Sequence, residues 1–269
     1  MKFSLNKVKQ AQQFIELFKI IKNMNSYSTL CSRENDLFIQ IMDDSHISLF
    51  NVTIQKEWFD SYQSDGETFS FMSNLIVRIL QLYTPNTNIL FETTEDKLII
   101  TFEFTNKTEK IFELPLVDID KDILEPQQIE GSLDFTLSAK TFDKYISELM
   151  LFGDSVEIIC VDDKLFMKSE GDEGKYTLKL PYDILEELQI EEDLKLKTQV
   201  SLKYLSYLTK SNSVFKTMRF HIRADSPIYM DIEESNFRLE YFVAPKFRDE
   251  EEEENEDYSE YESYENEIM

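Results

Sequence analysis

The chain has 269 residues, 42% of them hydrophobic, with 21 Phe and 13 Tyr, which is enough for one large or two medium-sized packed domains. Its 5 Gly and 6 Pro exclude fibrous and low-complexity classes. The formal net charge of −25 argues against an overall basic nucleic-acid binder, although an acidic average leaves room for a local basic stripe.

Two cysteines, Cys31 and Cys160, are too few for a disulfide framework and fit a reducing compartment. No apolar run approaches the ~20 residues of a membrane-spanning helix, and the N-terminal residues MKFSLNKVKQ do not form a signal peptide. We therefore expect a soluble intracellular protein without a membrane partner.

In chain order, four segments place apolar residues at helical spacing on one face: 10–24, 73–83, 139–151 and 201–210. Each is followed by two strand-like runs around a tight acidic turn. The helix starts lie 61 to 67 residues apart, so a helix-plus-hairpin unit recurs four times. The pattern predicts an α+β fold of two similar domains, each made of two helix-plus-antiparallel-sheet units.

The two halves meet in the stretch VDIDKDILEPQQIEG, whose acids, proline and glycine indicate a linker. We place the N-terminal domain at 1–117, the connecting loop at 118–131 and the C-terminal domain at 132–247. The remaining segment, 248–269, is rich in acids and predicts a disordered, solvating tail. Its evenly spaced tyrosines (258, 261 and 264) leave partner binding or phosphorylation as the alternative.

The sequence contains no Walker loop, G-x-G-x-x-G or C-x-x-C motif. The run DIDKDI could suggest a calcium loop, but Ile123 and Ile129 stand where an EF-hand needs Gly and Glu. The two histidines, His46 and His221, support a nucleophile–base pair poorly, and His221 in a strand is expected to be structural. We predict a protein that is not an enzyme and uses no metal or cofactor.

Bases lie on the polar sides of all four predicted helices, at Lys22, Arg78, Lys144, Lys203 and Lys210. For any single helix, a solvated face is the simpler interpretation. If the repeat places the four helices on a common surface, these bases form a lining that attracts phosphates without reading base sequence.

Several segments carry a resemblance to a known family: IQIMDDSHISLF followed by EWFDSY, then KYLSYLTK, RADSPIYMDI and LEYFVAPKF. Together they closely resemble the eukaryotic-type DNA sliding clamp, the proliferating cell nuclear antigen family, in order over almost all of residues 1–248. The resemblance implies a homotrimeric ring with the DNA-clamp fold and no catalysis of its own. Such a ring encircles duplex DNA and tethers DNA polymerase and other replication and repair proteins.

The resemblance also implies loading by an ATP-driven clamp loader and a nuclear location or, for a viral protein, the viral DNA replication compartment. By position, Lys22, Arg78, Lys144, Lys203 and Lys210 would face the DNA. Gln81 and Ser147 stand where the family usually has bases, so the hole may be less positive than usual. The family's modifiable lysine aligns with Asp162 and is not carried over.

Partners of the family insert a motif of the form Gln-x-x-aliphatic-x-x-aromatic-aromatic into a pocket beneath the connecting loop. Val243 to Lys246 could also pair with an incoming backbone. The residues that match the pocket are Met42, His46, Ile47, Leu49, Ile123, Leu124, Pro126, Pro227, Tyr241, Phe242, Val243, Ala244 and Pro245.

Subunits of the implied ring should meet through the strands KIFELPL and KYTLKLP. Head-to-tail pairing would bring Glu109 and Glu113 of one strand to Lys175 and Lys179 of the other. The interface residues are expected to be Lys110, Phe112, Leu114, Lys175, Tyr176 and Leu178.

Other functions remain open on the sequence. The net charge and the tail alone suggest an acidic chromatin-associated chaperone. A monomeric processivity factor that grips one face of DNA is a variation on the same fold, but the sparse bases count against it. A subunit of a heterotrimeric checkpoint clamp is a further alternative.

Overall fold

The computed structural model describes residues 1–119, 123–127, 129–209 and 215–246, and Tyr261 in the C-terminal segment. They fall into two compact units. The first holds the described parts of Met1–Pro126, Ser211–Lys216 and Asp231–Tyr241, and the second those of Gln127–Lys210, Thr217–Met230 and Phe242–Met269. The domain limits at 117, 131 and 247 remain a prediction.

The elements follow the fourfold pattern expected from the sequence. Those before the connecting loop are β1 (Lys2–Leu5), α1 (Val8–Met24), β2 (Tyr27–Ser32), β3 (Asp36–Met42), β4 (Ser48–Gln55), β5 (Ser61–Gln63), β6 (Thr68–Met72), α2 (Ser73–Leu80), β7 (Asn88–Thr93), β8 (Lys97–Glu103) and β9 (Glu109–Pro115). Those after it are β10 (Leu133–Ser138), α3 (Ala139–Leu149), β11 (Ser155–Val161), β12 (Lys164–Gly171), β13 (Gly174–Leu180), β14 (Glu186–Ile190), β15 (Leu196–Ser201), α4 (Leu202–Leu205), β16 (Thr217–Ile222), β17 (Ile228–Glu234) and β18 (Phe237–Val243).

Each unit contains an antiparallel sheet that ends in an unpaired edge strand. In the first unit the order is β5-β1-β7-β8-β9, and in the second it is β13-β12-β11-β15. We call these the first outer sheet and the second outer sheet. Further strands pair as β18-β4-β3-β2-β6 and as β14-β10-β16-β17. The fold class predicted from the repeat, α+β with antiparallel sheets, is confirmed.

Helix α1 covers one face of the first outer sheet because its apolar residues recur every three or four positions. Phe14 and Phe18 are fully buried, and the Phe14 ring meets Phe91 of β7 edge-on at 5.3 Å between centroids. Phe3 of β1 stacks on the same Phe91 ring at 4.5 Å. Burial of these rings supplies the apolar driving force for the first unit.

Helix α3 has the same role in the second unit. Its N-terminus is capped by Ser138, whose Oγ accepts a hydrogen bond from the Thr141 backbone N–H at 3.1 Å. Buried Phe142 packs against Phe220 of β16 at 5.7 Å. Near the C-terminus of α3, Glu148 accepts a hydrogen bond from the Tyr176 hydroxyl of β13 at 3.0 Å. This contact places α3 over the face of the second outer sheet that carries Tyr176.

The fourth helix is shorter than the sequence predicts. The α-helical part of the predicted segment 201–210 is Leu202–Leu205, and a 3₁₀ turn, Ser206–Leu208, follows it. The Ser206 hydroxyl donates to the Lys203 carbonyl at 2.6 Å, and this local bond competes with continuation of the helix. None of the described helices is both long and apolar enough to cross a membrane.

Candidate peptide-binding site

A cavity of about 430 Å³ lies in the first unit, between the end of β3 and the connecting loop. Its floor comes from the strands and the turn after β3, and its lid from the loop residues Ile123 and Leu124. The residues that line it are Asn25, Thr29, Cys31, Gln40, Met42, Asp43, Asp44, His46, Ile123 and Leu124.

The lid is pinned to the floor by one glutamine. The Gln40 Nε2 donates to the Leu124 carbonyl at 2.8 Å, and the Leu124 backbone N–H donates to the Gln40 Oε1 at 2.8 Å. Gln40 Nε2 also donates to Asn51 Oδ1 of the neighbouring strand at 3.0 Å, which fixes the orientation of the amide. The loop is therefore held through its backbone, and its side chains remain free to contact a ligand.

The turn after β3 is built around the buried carboxylate of Asp43. Its Oδ2 accepts the Ser45 backbone N–H at 2.9 Å, and its Oδ1 accepts the Ile47 backbone N–H at 2.8 Å. Ser48 donates to the same Oδ1 through its hydroxyl at 3.0 Å. Burial by itself raises the pKa of Asp43, but these hydrogen bonds outweigh it, so the pKa lies below its ordinary value.

The neighbouring Asn25 ties α1 to this turn. Its Nδ2 donates to the Met42 carbonyl at 2.8 Å and to Asp44 Oδ1 at 3.1 Å. His46, at the tip of the turn, is exposed and has a φ of 57°, a left-handed conformation that the Asp43 hydrogen bonds support. The cavity thus has a rigid polar wall on the turn side.

The lid side chains give the cavity its apolar character. Ile123 is 40% exposed and Leu124 is 44% exposed, whereas Met42 on the floor is half-buried. Exposed aliphatic side chains over a concave surface can close on an apolar or aromatic side chain of a ligand. A peptide is a suitable ligand, because the polar turn can meet its backbone while the lid covers its side chains.

Four of the predicted pocket residues line this cavity: Met42, His46, Ile123 and Leu124. Ile47, Leu49 and Pro126 belong to the same unit but do not line it. Sequence reasoning missed Gln40, Asn25 and Asp43. The signal for Gln40 was weak, because a polar residue in a strand is ordinary where one face is open.

The remaining predicted pocket residues lie near the C-terminal end of the second half. Tyr241 is fully buried and meets Phe50 edge-on at 5.8 Å, so it has no free surface. Phe242 stacks on Tyr229 at 4.8 Å. Pro227 is exposed before β17, and Ala244 and Pro245 are partly exposed. The contribution of these residues to the pocket remains a prediction.

The expectation that Val243 to Lys246 pairs with an incoming backbone stays a prediction for Ala244, Pro245 and Lys246, which lie beyond the end of β18. Strand β18 lies between β17 and β4, and Val243 at its end is fully buried. The Lys246 backbone N–H already donates to the Gln199 carbonyl at 2.7 Å. An incoming backbone would have to displace that bond, and Pro245 offers no N–H.

Both halves of the chain match the domain models of one protein family. Residues 5–124 match "Proliferating cell nuclear antigen, N-terminal domain", and residues 128–246 match "Proliferating cell nuclear antigen, C-terminal domain". The chain belongs to the proliferating cell nuclear antigen family. The connecting loop residue Leu124 is the last residue of the first match.

Two curated relatives of this family are similar over most of their length. A "Probable DNA polymerase sliding clamp 2" of Paramecium bursaria Chlorella virus 1 is 26% identical over 247 residues, which cover 89% of each chain. The "Proliferating cell nuclear antigen" of Saccharomyces cerevisiae is 25% identical over 255 residues, which cover 91% of this chain and 98% of the yeast protein.

The described bases assigned to DNA contact are exposed on the four helices, and their role stays a prediction. Lys22 is exposed in the last turn of α1, Arg78 is exposed on α2, and Lys203 is exposed on α4. Lys144 of α3 is exposed, and its Nζ lies 3.8 Å from a Glu148 carboxylate oxygen, whose negative charge opposes the attraction of Lys144 for a phosphate. Lys210 lies outside the described residues.

The strands assigned to subunit contact are both edge strands, β9 of the first outer sheet and β13 of the second. On β9, Lys110 is exposed, Phe112 is half-buried and Leu114 is buried. On β13, Lys175 is exposed, and Tyr176 and Leu178 are half-buried. Ile111, which was not among the residues expected at this interface, is 60% exposed on β9.

Within the described residues, no group of three or more His, Cys, Asp or Glu side chains could hold a metal ion. The acids at positions 120 and 122 of the DIDKDI run lie outside the described residues.

His221 takes a structural position, since its Nδ1 lies 3.0 Å from Asp134 Oδ1 and its ring stacks on Tyr229 at 5.0 Å.

Proposed function

We propose that this protein is a DNA sliding clamp, a processivity factor that encircles duplex DNA and tethers DNA polymerase and other replication or repair proteins to it. The observation that carries the proposal is the match of both clamp-domain models over residues 5–124 and 128–246. The names of the relatives, DNA polymerase sliding clamp and proliferating cell nuclear antigen, agree with it. Tethering raises the local concentration of a partner at the template, so weak contacts give processivity.

The ring that this function needs is a homotrimer closed through β9 and β13. An edge strand presents unpaired N–H and C=O groups, and pairing with a second chain satisfies them. The acids on β9 and the bases on β13 favour a head-to-tail contact, which closes into a ring when the rotation allows. Exposed Ile111 supplies an apolar residue for the same contact.

The cavity beneath Ile123 and Leu124 is the proposed docking site for partner peptides of the form Gln-x-x-aliphatic-x-x-aromatic-aromatic, the clamp loader's included. Aromatic side chains that fill such a cavity supply most of the affinity of a short motif. The acidic surroundings attract basic flanking residues and raise the association rate more than the final affinity. The clamp acts in the nucleus or in a viral replication compartment, and it performs no catalysis itself.

The proposal is tested by topological retention on DNA. The protein, loaded on nicked circular DNA by a cognate clamp loader, should remain bound through gel filtration and should leave when the circle is cut. The double variant Lys22→Glu/Lys203→Glu should lose retention because two lining bases now repel phosphates. The matched control Lys2→Glu, on β1, should be retained like the parent.

Retention of the parent on linear DNA as strongly as on the circle would contradict encirclement. Equal retention of the lining variant and the parent would leave encirclement standing but would contradict the assignment of the DNA-facing bases.

A further inference from the structure

The second outer sheet has two faces of different character, and the strand register separates them. Ile158 pairs with Met167, and Cys160 with Leu165, so these side chains share one face. Tyr176, Leu178 and Leu180 of β13 join that face through their own pairings, and the Tyr176–Glu148 hydrogen bond places α3 over it. Side chains alternate along a strand, so the intervening residues point to the side away from the helix.

Three residues on the side away from the helix are apolar and fully buried. Ile159 pairs with Phe166, and Val161 lies one pair further along the same face. Ile159, Val161 and Phe166 each have no exposed surface. A sheet face that has no helix over it normally meets water, so complete burial there requires another cover.

The first outer sheet shows what an uncovered face looks like. Its residues on the side away from α1 include Leu90 and Ile99, which are only half-buried, and the exposed Ile111. Each outer sheet contains the three strands that directly follow one helix, β7–β9 after α2 and β11–β13 after α3. The burial of the face away from the helix is therefore specific to the second unit.

The cover of the second outer sheet includes Tyr261 of the C-terminal segment. Its ring lies 5.2 Å from the Phe166 ring, and Tyr261 is 3% exposed in a cluster with Ile159, Val161 and Phe166. Burying a tyrosine ring against three apolar side chains is a favourable anchor for a segment that has few other apolar residues.

Charge favours the same contact. Lysines surround the apolar patch on the same face of the sheet. In the strand register, Lys164 lies opposite Val161, Lys168 opposite Glu157, Lys179 opposite Phe166 and Lys197 opposite Ile159. Residues 249–269 contain only acidic charges, and glutamates flank Tyr261 on both sides in the sequence. Basic groups around an apolar site attract an acidic segment over distances of about 10 Å at moderate salt.

We propose that the C-terminal acidic segment of this chain docks on the face of the second outer sheet away from α3, with Tyr261 as its anchor on Ile159, Val161 and Phe166. The occupant is the chain's own tail because Tyr261 is seated there and the lysine rim matches the tail's charge. The docked tail hides an apolar, basic-rimmed surface that would otherwise invite acidic partners. The prediction of a disordered tail falls, Tyr261 apart, on residues outside those that the structure describes.

Hydroxyl-radical footprinting of the full-length protein tests the docking. After correction for intrinsic reactivity, Tyr261 and Phe166 should be labelled at least about tenfold more slowly than Tyr182, given the free energy of burying an aromatic side chain. Tyr182 is a suitable reference because it is 51% exposed in the same unit. The variant Tyr261→Ala should raise Phe166 labelling, and Tyr261→Phe should keep Phe166 protected because the ring remains.

Two controls separate the anchor from its alternatives. Tyr258→Ala, on the same tail, should leave Phe166 protected; an equal effect of both alanine variants would overturn the role of Tyr261 as the anchor. Lys164→Glu/Lys197→Glu should raise Tyr261 labelling, whereas Lys2→Glu on the first outer sheet should not. Tyr261 labelling as fast as Tyr182 in the parent, or protection that is lost on dilution, would overturn docking within the chain.

Discussion

The two outer sheets occupy equivalent places in the repeat, yet they differ in charge, and the irregular segments that belong to their units are attached in different ways. On the face of the first outer sheet away from α1, Lys2 and Lys97 are each paired with an acid, Lys2–Glu92 at 3.3 Å and Lys97–Glu113 at 2.7 Å. On the second outer sheet, the face away from α3 carries five lysines, four of them around an apolar patch, and two of those four share the acid Glu157. The connecting loop, which follows β9 in the chain, is held by hydrogen bonds at Leu124, whereas the described residue of the C-terminal tail, Tyr261, is held by apolar packing.

This difference shows how the mode of attachment decides what a segment can do. Gln40 holds the loop by the backbone of Leu124, so the side chains of Ile123 and Leu124 remain about half exposed over a cavity. Tyr261 is held by its ring, so its side chain is buried in the contact and cannot contact a ligand. A backbone-held segment can serve as a lid for a ligand, whereas a side-chain-held segment covers the surface itself.

The largest effect is expected at the edges of the two sheets. Reversing the basic edge with Lys175→Glu/Lys179→Glu should abolish trimer formation, because like charges then face each other across paired strands. Light scattering should show a fall from about three times 31.9 kDa to the single-chain mass. Adding Glu109→Lys/Glu113→Lys should restore the trimer.

The control for the edge prediction is Lys2→Glu, which changes the charge of the first outer sheet away from β9. It should leave the mass unchanged. A parent protein that stays at the single-chain mass at micromolar concentration would contradict the homotrimer, and a reversed variant that remains trimeric would contradict the choice of strands.

The next effect concerns the lid. Ile123→Ala/Leu124→Ala should weaken binding of a Gln-x-x-aliphatic-x-x-aromatic-aromatic peptide by about 1–3 kcal/mol through lost apolar burial. Isothermal titration calorimetry measures the change, and Leu82→Ala, at an equally exposed leucine of the same unit, should bind like the parent. Unchanged affinity in the lid variant would place the docking site elsewhere.

The attachment of the lid can be tested separately from its side chains. Gln40→Met keeps the length of the side chain but removes both hydrogen bonds to Leu124, and we expect it to weaken the same peptide by about 1–2 kcal/mol. A parent-like affinity would show that the loop does not need its backbone clamp.

The smallest effect concerns the turn below the cavity. Asp43→Asn should lower the free energy of unfolding by about 1 kcal/mol at neutral pH, because a neutral amide cannot accept all the hydrogen bonds of the carboxylate. The folded pKa of Asp43 is depressed below 3.8, so its contribution is complete above the unfolded pKa and is lost as the pH falls through the folded pKa. The gap between parent and variant should therefore close in acid.

Urea unfolding at a series of pH values checks the Asp43 prediction, and the control is Asp225→Asn. Asp225 is exposed in the corresponding turn of the second half, between β16 and β17, and its replacement should have little effect. A constant gap between parent and Asp43→Asn across the acid range would mean that the carboxylate is not the stabilising group.

The regular part of the structure could be predicted from the sequence because it depends on local periodicity. The apolar stripe of residues 10–24, for example, predicts a helix whose buried face is the one observed at Phe14 and Phe18. The resemblance-based residues Met42, His46, Ile123 and Leu124 line one cavity, and their role in peptide binding stays a prediction. The end of the fourth helix was missed because the Ser206 side-chain bond competes with the helical ladder.

The sequence by itself determined the fourfold repeat, the α+β class and the family, because periodicity and family motifs are local properties of the chain. The tertiary structure decided which polar residue fastens the connecting loop, that β18 is an interior strand, and that Tyr261 is buried on the second outer sheet. Those outcomes depend on contacts between residues far apart in the chain, such as Gln40 with Leu124 and Phe166 with Tyr261. No local pattern records such a pairing, since each partner is ordinary until the fold brings the other beside it.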